Sequence, residues 1–169
     1  LQRDIGSGHN IEQTIFLECY AEYKKDGPKH MRSVGEGEFV SALAEESSNA
    51  PGATFAAIVG NADVVLGDGV EEVLMALDAA VRGRFRIIRY STAQDVHPPL
   101  KQPPSAPMDD ANYLQGVRRV VALGYSYDAM IYHPQLPGLV EVARACPDAP
   151  IVINHHCGIL GTGPYKDQW

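Results

Sequence analysis

Residue types able to do chemistry stand directly after short apolar runs in this sequence. Glu18 and Tyr20 follow TIFL, Asn61 and Asp63 follow AAIVG, and Arg89, Tyr90 and Ser91 close RFRIIRYS. Tyr132 and His133 close YDAMIYH, and Asn154, His155 and His156 follow IVI. A histidine pair or Glu18 could ligate a metal, and Arg86 and Arg89 could hold a carboxylate. Each also has a plainer reading. His155 and His156 read equally as loop histidines, because adjacent residues on a strand face opposite sides and cannot share one metal from one face. Glu18 could simply accept backbone hydrogen bonds, the arginines could pair with surface carboxylates, and Tyr132 and His133 before Pro134 could only shape a loop. GDG at Gly67–Gly69 lacks a phosphate-loop pattern and reads as a turn. No Gly-x-Ser-x-Gly elbow is present, which removes the serine-hydrolase class.

The elements that would position these residues alternate. Strands are expected over Thr14–Cys19, Phe55–Gly60, Arg84–Ser91, Tyr127–Tyr132 and Ile151–His155, each β-branched or aromatic and flanked by breakers. Between them lie helical patterns. One covers Gly37–Glu46, and one carries Val70, Val73, Leu74, Leu77 and Val81 before Gly83. Another is capped by Asp109 or Asp110, carries Leu114, Val117, Val120 and Val121, and ends at Gly124. The last is marked by Leu136, Leu139, Val140 and Ala143. Such alternation means βαβ units and a parallel sheet, either open and doubly wound or part of a barrel. In both, sites form at the carboxyl ends of strands, where the polar residues named above gather. If Ile151, Ile153 and Ile87 fill a barrel interior, His155, Arg89 and Tyr132 top it. The stretch His97–Pro107, with five prolines, is expected as an extended loop.

Length and composition bound the rest. A chain of 169 residues with 45% hydrophobic and 21% charged residues predicts one globular domain over residues 1–169. A formal charge of −7 argues against nucleic acid or an anionic membrane as partner. Cys19, Cys146 and Cys157 form no CxxC pair and read as reduced thiols of a cytoplasmic protein. No apolar run reaches membrane-spanning length.

Taken in order, the segments GHNIEQTIFLECYAEYKKDGP, VGEGEF, AAIVGNADVVLG, GRFRIIRYS, YSYDAMIYHPQLPGLVEVARACPDAPIVINHHCG and LGTGPY resemble the amidohydrolase-related family of TIM-barrel metal-dependent hydrolases, and its lactonase-like branch most. The resemblance runs from about Gly8 to Tyr165. It implies a partial (β/α)8 barrel, with the legible strands corresponding to the second through sixth. The family's HxH-bearing first strand and its eighth-strand aspartate have no counterpart here, so the chain reads as an internal fragment. Two exposed sheet edges would then favour a homo-oligomer.

The resemblance also implies roles. His155 matches the histidine of a DHxG block, as metal ligand or carbonyl polariser, and Arg89 matches the second arginine of RGIR, as anchor of a substrate carboxylate or lactone oxygen. Tyr132, His133 and Gln135 match a pocket-lining block. Catalysis is expected from His155, Arg89 and Tyr132, with substrate contacts from Glu18, Arg86, His133 and Gln135. Ile87 replaces the RGIR glycine, Asn154 the DHxG aspartate, Cys157 its glycine and Ile159 the following proline. The implied reaction is hydrolysis of a lactone or related small cyclic ester or amide by activated water, with zinc or manganese as the divalent metal and a metal-free route also open. A decarboxylase on the same barrel, or a non-catalytic fragment, are the alternatives.

Overall fold

The computed structural model describes residues 2–97 and 108–168; the proline-rich stretch, from Pro98 to Pro107, lies outside the described residues. Five strands lie in the order β1-β2-β3-β4-β5. An open doubly wound sheet needs that order to reverse at a switch point, whereas sequential winding with helical crossovers is the connectivity of a (β/α) barrel. The chain is therefore a partial barrel. It divides into two compact units, residues 1–62 with 72–87 and residues 63–71 with 88–169.

The first unit opens with a single helical turn, α1 (Gln2–Ile5), before β1 (Gln13–Leu17). Strand β1 runs parallel to β2 (Thr54–Asn61), with Phe16 opposite Ile58 and a register shift between Thr14 and Ile15. Between them lies α2 (Val34–Ser48), which starts at Val34 rather than at Gly37. Gly35, in its first turn, has no room for a side chain, because a Cβ there would collide with the Glu22 carbonyl oxygen. After α3 (Val70–Val81), Arg82 and Gly83 turn left-handed and send the chain into β3 (Phe85–Ser91). The apolar period of α3 is fulfilled, with Val73, Leu74, Leu77 and Val81 all buried, as are Phe85 and Ile58. At Gly37 a Cβ would lie 3.2 Å from Leu77 and 3.3 Å from Val81, so the small residue sets how closely α2 approaches α3.

In the second unit, Asp110 caps α4 (Ala111–Ala122) by accepting from the Asn112 and Tyr113 amides, and Gly124, at φ +86°, follows its end. Strand β4 (Ser126–Met130) is parallel to β5 (Ile151–Ile153), Asp128 lying opposite Val152, with α5 (Leu136–Ala145) between them. Tyr113 of α4 meets Tyr127 of β4 through a 2.6 Å bond between their hydroxyls, both rings wholly buried. Burial raises the Tyr113 hydroxyl to about 12, so the pair stays neutral throughout the physiological range. Helix α4 thus covers one face of β4 through Tyr127. Residues that alternate with Tyr127, Asp128 above all, point to the other face. No described helix is long and apolar enough to cross a membrane.

Gly116 sits where α4 crosses the 3-10 segment Val64–Gly69, and a Cβ there would overlap the Val64 carbonyl oxygen. Backbone cannot retreat as a side-chain tip can. Gly116→Ala is expected to lower the unfolding free energy by about 3 kcal/mol, read from urea denaturation, despite alanine's better helix propensity.

Candidate active site

Strands β3 and β4 and the residue following β5 share one polar network. Arg89 and Asp128 are 5% and 2% exposed, and the Arg89 Nε donates to Asp128 Oδ2 at 3.0 Å. Asn154, immediately after β5, donates its Nδ2 to both Asp128 oxygens, at 3.0 and 2.7 Å. The two strands and the position after β5 each supply one member. Ionised groups this deep lose most of their hydration, so they persist only where each meets an opposite charge or a donor.

The loops beyond the strands are tied by side chains. Gln135 accepts from the amides of Gln94 and Tyr132, at 3.1 and 3.0 Å, and donates to the Thr92 carbonyl at 2.8 Å. It joins the loop after β3 to the loop after β4. His133 accepts the Leu160 amide on Nδ1 at 3.2 Å, which assigns the proton of the neutral ring to Nε2. Its ring meets Tyr165 edge-on at 4.9 Å, and the Tyr165 hydroxyl donates to Asp95 at 2.7 Å. The His97 amide and that hydroxyl together hold the Asp95 carboxyl below its usual range.

Strand β5 ends at Ile153, and His155–Gly158 forms a single turn, α6, in which all four residues have positive φ (46°, 49°, 60° and 46°). Strand alternation therefore stops short of the histidines. Asn154, not His155, joins Arg89 in this network, while His155 and His156 are exposed. The turn abuts the preceding loop at Gly158, where a Cβ would lie 2.7 Å from the Ile131 carbonyl oxygen and 2.9 Å from the Tyr132 ring. Cys157, at φ 60°, occupies a left-handed position that glycine tolerates without Cβ crowding.

Of the residues expected from sequence, Arg89, Tyr132, His133, Gln135 and His155 all belong to the second unit. Glu18 and Arg86 belong to the first. Arg86 lies at the amino end of β3, exposed, with Nη1 donating to the Phe85 carbonyl. Glu18 is buried just beyond β1, and its amide extends the ladder to the Val59 carbonyl at 3.1 Å. Beside it, the buried Glu36 carboxylate accepts the amides of Cys19 and Ala21, at 3.0 and 2.8 Å. Burial, then the charges of Glu18 and Glu36, pushes the Tyr23 hydroxyl far above its usual range. Burial and the Glu36 charge also raise the Cys19 thiol, opposing thiolate chemistry there.

Sequence reasoning passed over Asp128, Asp95, Tyr165 and Glu36. For Asp128 a signal existed: a carboxylate inside an apolar strand, on the face opposite Tyr127, needs a cation from a neighbouring strand. Among the described residues, no three His, Cys, Asp or Glu side chains converge as a metal-ligand set. Both Asp128 oxygens are already engaged. The described residues do not by themselves fit a metal.

Gln135→Leu removes three hydrogen bonds and leaves the partly buried amides of Gln94 and Tyr132 without their acceptor. A loss of about 2–3 kcal/mol is expected by thermal or urea unfolding. Proteolysis should cut first in the loops that Gln135 joins.

A family model described as amidohydrolase matches residues 14–169. No curated protein sequence matches the chain. Among solved structures, the fold is similar to that of an amidohydrolase from Burkholderia multivorans with bound HEPES, with a TM-score of 0.50 at 19% identity. That match covers 88% of this chain and 57% of the other, so the present chain spans little more than half of its length. With nearly the whole sequence inside the family model, and strands wound in sequential order, this chain belongs to the amidohydrolase family.

Proposed function

We propose that this chain supplies the middle strands of a hydrolase barrel that opens a lactone, or a related small cyclic ester or amide, with activated water at the carboxyl rim. The observation that carries this reading is Arg89. It is a buried guanidinium held by Asp128 near the carboxyl end of β3, in the unit that also holds the Tyr132–Gln135 loop. A fixed cation of this kind binds a substrate carboxylate, or the oxygen on which charge develops as water attacks the carbonyl. In the neutral form assigned above, His133 carries its proton on Nε2, the form needed to donate to a ring or leaving oxygen. Tyr132 and Gln135 shape the wall, and His155, on its exposed turn, polarises the carbonyl.

The test is turnover of sugar lactones and of carboxymuconate-type acids by the purified protein, with and without chelator. Ring opening of a lactone, followed by proton release, is the expected activity. Arg89→Lys keeps the charge but loses the planar fork, and should lower kcat/KM about 10- to 100-fold. Carbon dioxide release without lactone opening would replace this reading with the decarboxylase one, and an unchanged Arg89→Lys would remove Arg89 from the reaction.

A further inference from the structure

A buried ion pair is a costly way to fill a strand face. Apolar residues of similar volume are often as stable or more so, so stability alone does not account for Arg89 and Asp128. What the pair supplies is direction. The guanidinium is planar, and its Nε bond to Asp128 Oδ2 at 3.0 Å fixes how that plane lies. Asp128 is itself fixed, because the Asn154 amide spans both of its oxygens at 3.0 and 2.7 Å.

We propose that Asp128 is the positioning residue for Arg89, and that Asn154, donating to both Asp128 oxygens, holds that carboxylate in place for the task. The proposal deepens the reading of Arg89 as the substrate anchor and rests on it for its catalytic meaning. Its physical content is testable without a substrate.

The experiment uses the full chain and two readouts. The first is the Arg89 Nε–H resonance, assigned by its disappearance in Arg89→Lys. In the wild type it should be sharp and slow to exchange at neutral pH. In Asp128→Asn it should move and exchange at least about tenfold faster, since the charged acceptor is gone. An unchanged resonance overturns the positioning role.

The second readout is the same resonance in Asn154→Ala, which also serves if Asp128→Asn fails to fold. Without the amide that meets both Asp128 oxygens, the Arg89 Nε–H should exchange at least about threefold faster than in the wild type. An unchanged resonance in Asn154→Ala overturns the role of Asn154. Failure of lactone hydrolysis would strike the proposed reaction while leaving both of these results standing.

Discussion

The buried carboxylate of Asp128 constrains everything around it in the second unit. Withdrawing one such ion from water costs several kcal/mol even after relaxation, and its partners must come from the strands on either side. Arg89 from β3 and Asn154 after β5 meet it within 3.0 Å. Sliding either neighbour by one residue would turn its partner to the other face, and sliding by two would strand the charge. Apolar residues in these places would often be neutral or better by about 1–4 kcal/mol, so the network specifies register and orientation more than it adds stability.

That registration sets where the loops begin, and the loops are then held by side chains reaching backbone. Gln135 links Gln94, Thr92 and Tyr132, and His133 takes up the Leu160 amide. The Asp95 carboxyl, Tyr165 hydroxyl and His133 ring form a second string of contacts. Loop backbone lacks ladder partners, so such bonds give it one conformation. The same bonds fix the proton of the neutral His133 ring. The orientation of the His133 ring and the order of the loops come from one set of interactions.

The first unit uses a buried carboxylate for a different purpose. Glu36, in the first turn of α2, accepts two amides from the segment after β1, where Tyr20 and Glu22 have positive φ of 65° and 51°. Those bonds offset the steric cost of left-handed backbone at two residues with side chains. One carboxylate organises amides and the other organises a guanidinium. The difference follows from position, since Glu36 faces a loop with unsatisfied donors and Asp128 lies within a sheet whose amides already pair.

Much of this was legible from residue order. Period-two and period-three-to-four patterns placed all five strands and the helices α2 to α5, and the apolar pattern Val70–Val81 coincides with α3. A cap at Asp109 or Asp110 was legible, Asp110 being the one that serves, and so were Gly83 and Gly124 as stops, because capping and left-handed turns depend on one residue and its immediate neighbours. The gathering of polar residues at strand ends was equally a local reading. What residue order could not decide was which of those residues meet. Alternation grouped His155 with Arg89, but β5 ends two residues earlier and the chain turns left-handed, putting Asn154 in the network instead. The pairing of Arg89 with Asp128 joins residues 39 apart, and that of Tyr165 with Asp95 residues 70 apart. A sequence carries propensity and period, which are short-range. The partner of a buried charge is chosen by strand order and register, and these exist only once the sheet has formed.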